Sequence, residues 1–333
     1  MVKTMIFPWQ ESLWEQVAER LKNDTLPHAL LLEGQKGMGK STFAHHLAAM
    51  ALCQNSQASG ACGECKSCTL LQARTHPDFF HLEPVESGKQ IRIDAVRELI
   101  EFMNLSCHYG NHKVAVIEPA DAMNTASANS LLKTLEEPSP GALLILVTAH
   151  PSRLPITIRS RCQRISFLPP AEEQVSGWLS SELSASREEQ TNLLAIAHGG
   201  PLYARELAQD EMMQARQALF QDILEVLRRK MTIMAFSARY QNDLSRQVLE
   251  WILSWLQDLA RLCVSSEQAR LVNPDVAQDL RRLAKVLDLQ SIFKLQEKLY
   301  DFMRFHGTVN LNAQMVLEDI MINWLSALRV SKR

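Results

Sequence analysis

The 333-residue chain has no apolar run long enough to cross a bilayer. Its longest, such as Ala142 to Thr148, fall far short of the roughly 20 residues a membrane helix needs. Met1 to Pro8 has neither a long apolar core nor a cleavage signature, so no secretory signal is expected. There is no excess of either charge: the formal net charge is -2, and composition does not announce a nucleic-acid-binding protein. Contact with DNA through a local patch or a shared assembly surface stays open. No fixed-period repeat and no low-complexity tract occurs. The placing of the seven cysteines, four of which bunch between Cys53 and Cys68, argues against a disulfide framework. That clustering points to a metal site in a reducing compartment, and so to the cytoplasm.

What remains is an ordinary globular mixture, 46% hydrophobic and 22% charged, long enough for two or three domains. Ala29 to Leu32 is a short buried-type strand ending at Gly34, and Ser41 to Leu52 follows as a helix. After the cysteine segment come a strand at Phe79–Leu82, a helix at Ile93–Asn104 and a strand at Lys113–Ile117. A helix at Ala126–Leu135 then stops ahead of Pro138, and strands follow at Leu143–Thr148 and Arg164–Leu168. Strands alternating with helices imply a parallel sheet covered on both faces. Pro169-Pro170 is the clearest punctuation, and strand signals stop there. A small helical module, turning at Gly199-Gly200-Pro201, precedes a helical remainder. That remainder shows four apolar stripes: Leu244 to Leu262, Val276 to Leu287, Ile292 to Phe302 and Leu317 to Leu328.

Gly34-Gln35-Lys36-Gly37-Met38-Gly39-Lys40-Ser41 is a complete phosphate-binding loop between a strand and a helix. Its glycines let backbone N–H groups wrap phosphate oxygens, and the helix N-terminus adds partial positive charge. Lys40 would bridge the outer phosphates, Ser41 would ligate magnesium, and Thr42 adds a hydroxyl beside them. The alternative is a glycine-rich turn with a surface lysine. The acidic strand that should work with this loop reads Ile117-Glu118-Pro119-Ala120. Glu118 could serve magnesium, but Pro119 carries no carboxylate to activate water, and loss of a general base costs about 10²–10⁴ in rate. Asp121, across a proline-constrained turn, is not expected to substitute. Both acids could also be ordinary loop residues.

Cys53, Cys62, Cys65 and Cys68 can close a tetrahedral thiolate site, which suits zinc and leaves no open position for catalysis. Redox C-x-x-C chemistry and a cluster of buried thiols are the competing readings. Cys107, Cys162 and Cys263 are isolated and expected to be buried as small apolar groups. Ser160-Arg161-Cys162 follows the fourth strand, and its arginine could sit in its own site, on the surface or at a subunit boundary.

Leu26-Pro27-His28-Ala29, the phosphate loop, the four cysteines, Leu131 to Pro138 and Ser160-Arg161-Cys162 together closely resemble a bacterial clamp loader of the DNA polymerase III holoenzyme, a nucleotidyltransferase complex. The resemblance implies an α/β AAA+ domain at 1–168 with a zinc module at 53–68. A helical lid at 169–207 and an all-helical collar at 208–333 complete the expected ring subunit. Val309 to Asn312 and Met315 to Leu325 look like the last collar helix and its lead-in. The same resemblance makes Arg161 a finger directed into the ATP site of an adjacent motor subunit. It makes Thr148 the sensor at the end of the fourth strand, and adds Gly34, Gly37, Gly39, Lys40, Ser41, Thr42 and Glu118 as nucleotide-binding residues. Motor subunits carry an acidic pair where this chain has Glu118-Pro119, and an arginine where it has Tyr203, with Arg205 two places late. The implied role is a non-motor arm with weak or absent ATPase of its own. ATP with magnesium is an open cofactor beside structural zinc. The implied partners are the motor subunits and the clamp-opening subunit, with the sliding clamp and primer–template DNA reached through the assembly. A competent motor ATPase is the alternative. A cysteine knuckle that touches DNA or a partner is a second, although Lys66 is the only basic residue between Cys62 and Cys68.

Overall fold

Residues 6–86, 89–242, 244–265, 269–305 and 312–328 are described by the computed structural model. The chain divides into two compact units, one running to Ser181 and including Gly200–Tyr203, the other formed by Glu182–Gly199 and the chain from Ala204.

In the first unit the elements run α1 (Glu11–Lys22), β1 (Ala29–Gly34), α2 (Lys40–Leu52), α3 (Lys66–Gln72) and β2 (Phe79–Leu82). They continue α4 (Ile93–Asn104), β3 (Lys113–Ile117), α5 (Thr125–Glu136), β4 (Ala142–Thr148), α6 (Ile156–Arg159), β5 (Gln163–Phe167) and α7 (Glu172–Glu182). The five strands form one sheet in the order β2-β3-β4-β1-β5, and every pairing is parallel. The apolar runs read from the sequence are strands buried on both faces. Leu30, Leu32, Val114, Val116, Ile145 and Val147 face α1 and α2. Their neighbours Leu31, Ala115, Ile117, Leu144 and Leu146 face α4, α5 and α6. Period-two alternation thus feeds two cores from one set of strands. Asn124 caps α5 by accepting the Ser127 N–H at 2.8 Å, and Pro138 follows its end.

One buried ion pair fixes the far side of this sheet. Asp78 is fully buried ahead of β2 and accepts the backbone N–H groups of His108 and Tyr109 at 2.9 and 2.7 Å, and the Lys113 ammonium at 3.1 Å. Its neighbour His76, also buried, reaches Ser67 Oγ of α3 at 3.2 Å, so the same knot holds the cysteine segment to the sheet.

The second unit is helical among the described residues: α8 (Arg187–Ile196), most of α9 (Pro201–Leu207), α10 (Asp210–Leu227), α11 (Ile233–Tyr240), α12 (Arg246–Val264), α13 (Ala277–Ala284), α14 (Leu289–Phe305) and α15 (Ala313–Ser326). Its core gathers Phe220, Phe236, Trp255, Leu259, Leu280, Leu299 and Trp324. The apolar stripes expected from spacing are those of α12 to α15, although Leu244 precedes α12 and Leu328 follows α15. The stripe Val276 to Leu287 is longer than its helix, because Val276 lies in a short 3-10 turn after Pro274 and Leu287 pairs with Leu328 as an isolated bridge. The final expected helix is α15, whose Asn312 side chain accepts the Met315 N–H at 3.2 Å; Val309 to Leu311 lie outside the described residues. No described helix is long and apolar enough to cross a membrane.

Candidate nucleotide edge, arginine turn and metal centre

Parallel strands bring their C-terminal ends to one edge, and the phosphate loop lies there between β1 and α2. Gly37 and Gly39 both take left-handed backbone, with φ of 81°. A Cβ on Gly37 would stand 2.4 Å from the Tyr203 backbone nitrogen, and one on Gly39 would stand 2.8 Å from the Phe7 ring. Glycine is therefore required by conformation and by close approach. The loop is held from outside by the buried Gln10 amide, which donates to the Met38 carbonyl at 2.8 Å, and by Trp9 Nε1 at 3.2 Å. Leu202 N–H donates to the Gly37 carbonyl at 3.0 Å, and the Lys36 ammonium lies 4.2 Å over the Tyr203 ring. Tyr203 thus occupies the loop's flank. Arg205 is engaged elsewhere, 2.9 Å from Glu182.

Lys40 is nearly buried, and its ammonium donates to the carbonyls of Gly34 and Gln35 at 2.7 Å each. Burial pushes its pKa down to about 8, against the pull of the Glu118 and Asp121 carboxylates. Asp121 belongs to this edge, which adjacency in sequence does not disclose. The Thr148 hydroxyl, at the end of β4 and 1% exposed, donates to Asp121 Oδ1 at 2.5 Å and accepts the His150 N–H at 2.9 Å. Glu118 follows β3, its N–H bonded to the Leu82 carbonyl at 2.9 Å. Ser41 and Thr42 lie half-buried in the first turn of α2, and the Ser41 carbonyl is bonded to His45 Nδ1 at 2.9 Å. The edge thus combines anion-binding backbone, the Lys40 cation and two acids, a set suited to a metal-bound polyphosphate.

Arg161 lies in the turn between α6 and β5. On either side of it Ile158 and Cys162 plug into the sheet's core, and burial raises the Cys162 thiol to about 11. The arginine itself points out and keeps about a third of its side chain exposed. Its Nε and Nη2 donate to Glu136 Oε1, the former at 2.8 Å, and its Nη1 donates to the Thr157 carbonyl at 3.1 Å.

Cys53, Cys62, Cys65 and Cys68 come together after α2, all four sulfurs within 4.8 Å of one another. A tetrahedron with metal–sulfur bonds of about 2.3 Å has edges of about 3.8 Å. The sulfur separations Cys53–Cys62, Cys53–Cys65 and Cys62–Cys68 are 3.5, 3.9 and 3.9 Å, which bracket that edge. Backbone N–H groups of Asn55 and Cys62 point at Cys53 Sγ, and that of Cys65 at Cys62 Sγ, as they would toward thiolates. The four residues fit a closed structural metal site.

The segment 9–171 matches the family model described as "DNA polymerase III, delta subunit", and 210–326 matches "DNA polymerase III, delta subunit, C terminal". The chain is 36% identical over 329 residues to DNA polymerase III subunit delta′ of Pseudomonas aeruginosa, covering 96% of this chain and 98% of that one. It is 31% identical to subunit delta′ of Escherichia coli, covering 95% and 94%. DNA polymerase III subunit tau/gamma of Haemophilus influenzae is 31% identical, but over 53% of this chain and 25% of its own length. Similarity to delta′ subunits runs through both units, whereas this tau/gamma match covers about half the chain. The chain belongs to the family of DNA polymerase III delta′ subunits, components of the clamp loader that assemble with its other subunits.

Proposed function

We propose that this chain is the non-motor arm of an ATP-driven ring that loads the sliding clamp onto primed DNA, acting in the cytoplasm. The AAA+ domain would be 1–168, the lid 169–207 and the collar 208–333. The collar joins the ring, and the arm contacts a motor subunit on one side and the clamp-opening subunit on the other. The clamp and the primer–template DNA are reached through the assembly. Arg161 acts in trans, stabilising charge on the phosphoryl group of ATP held by the adjacent motor subunit. The observation that carries this reading is the outward guanidinium on a turn pinned by two buried neighbours. A finger of this kind is worth roughly 10³–10⁵ in rate at the site it serves.

The chain's own phosphate loop binds ATP with magnesium through Gly34, Gly37, Gly39, Lys40, Ser41, Thr42, Glu118 and Thr148, and turns it over slowly or not at all. Pro119 removes the water-activating carboxylate, and Tyr203 stands where a sensing arginine would. Zinc occupies the four-sulfur site and supplies a structural crosslink, with no position open for chemistry.

Two measurements test this. In the reconstituted loader, Arg161→Ala should leave assembly intact and lower DNA-stimulated ATP turnover; unchanged turnover refutes the finger. For the purified chain, nucleotide binding that is lost in Lys40→Ala, without steady hydrolysis, is expected. Steady hydrolysis abolished by Lys40→Ala would favour a motor role instead.

A further inference from the structure

We propose that Glu136 is a positioning residue for Arg161, holding the guanidinium so that its two free donors face the neighbouring nucleotide. The inference rests on the reading of Arg161 as a finger and adds the residue that aims it. A guanidinium has five N–H donors. Glu136 Oε1 takes one from Nε and one from Nη2, and the Thr157 carbonyl takes one from Nη1. One donor is left on each terminal nitrogen, the pair suited to two oxygens of a phosphoryl group.

The aiming group is itself fixed. Glu136 is the last residue of α5, and the residue before it, Leu135, is buried. The Leu135 carbonyl accepts His28 Nε2 at 2.9 Å, so the end of α5 is tied to the start of β1. Glu136 gains little from its helix, since a carboxylate at a helix C-terminus meets the negative end of the macrodipole. The ion pair also contributes little to stability, with side chains 35% and 50% exposed. What the arrangement does supply is orientation: an unpaired arginine would spread over many rotamers, and a reaction that needs its charge at one point loses rate accordingly.

The test uses the reconstituted loader with clamp, primed DNA and ATP, and compares Glu136→Ala, Glu136→Asp, Arg161→Ala and the double variant, with assembly checked by size exclusion. Glu136→Ala should lower DNA-stimulated turnover at the served site by about three- to ten-fold, well short of the loss of the finger itself. KM for ATP should not move, because Glu136 touches no nucleotide. Glu136→Asp, which keeps the charge, should restore most of the rate. Adding Glu136→Ala to Arg161→Ala should change nothing further. The proposal is overturned if Glu136→Ala leaves turnover unchanged or raises it while Arg161→Ala lowers it, or if it costs the same with and without Arg161. If Arg161→Ala itself has no effect, the finger reading falls and this inference falls with it, a result distinct from failure of Glu136 alone.

Discussion

The Lys113 ammonium meets the Asp78 carboxylate at 3.1 Å, with side-chain exposures of 2% and 0%. A cation begins β3, and its partner lies one residue before β2. Asp78 also collects two backbone N–H groups from the loop that leads into β3. Taking Asp78 away leaves the buried Lys113 ammonium without its counter-ion.

Asp78→Ala is therefore expected to destabilise the first unit by about 3–5 kcal/mol, the cost of breaking a buried pair from one side. The acid limb should change as well. Burial raises the Asp78 pKa, but its hydrogen bonds from His108, Tyr109 and Lys113 prevail and hold the carboxyl below its usual range. A carboxylate whose folded pKa is depressed contributes fully above its unfolded value, and that contribution is lost as pH falls through the folded one. Denaturant unfolding of wild type and variant below about pH 4 should converge for this reason. A constant gap down to the folded pKa would contradict it.

Gly37→Ala should cost about 1–3 kcal/mol through the left-handed backbone alone, before the clash with the Tyr203 main chain is counted. The lowered melting temperature should come with loss of nucleotide binding, since the loop and its flank move together. A variant as stable as wild type would show that Gly37 is not held in the left-handed region in solution.

Lys40 predicts a proton linkage. Its folded pKa of about 8 lies below the ordinary 10.5, so between these values the unfolded chain binds more protons and stability rises with pH. A polyphosphate brought beside the ammonium raises that pKa again. Nucleotide binding at about pH 8.5 should then take up a fraction of a proton, and almost none at about pH 6.5. Calorimetry in buffers of different ionisation heat measures this directly. Lys40→Arg, which stays charged, should bind without uptake.

Removing metal should unfold the cysteine segment locally. We expect one zinc per chain, lost in Cys65→Ser, with a lower melting temperature and early proteolysis between about residues 53 and 68. Nucleotide binding should survive. Loss of binding along with zinc would mean that the two sites are coupled.

Much of this was legible in the sequence because the signals are local. The inner strands β1, β3 and β4 read as apolar runs since both of their faces are buried. The phosphate loop and the sulfur cluster each lie within one short segment, where spacing alone carries geometry. The relations that aim and brace the site join distant residues. Glu136 and Arg161 are brought together by the α5–α6 packing, Asp121 and Thr148 by adjacent strands, and Tyr203 and Gly37 by a segment that rejoins the first unit. Gln10 and Phe7 brace the loop from a stretch whose sequence carries no motif. The reach of the second helical stripe was lost for a smaller reason: a turn and a bridge continue the apolar spacing of α13 past both of its ends.

The thirteen residues of α2 separate the loop lysine at its start from the first sulfur ligand just past its end, about 20 Å along the axis. The cysteine cluster is thus a ready place for a spectroscopic reporter. A paramagnetic ion bound there stands close enough to broaden resonances around the phosphate loop, yet too far away to touch it. Movements at the nucleotide edge during the loading cycle could be followed from that distance without altering a residue that takes part in them.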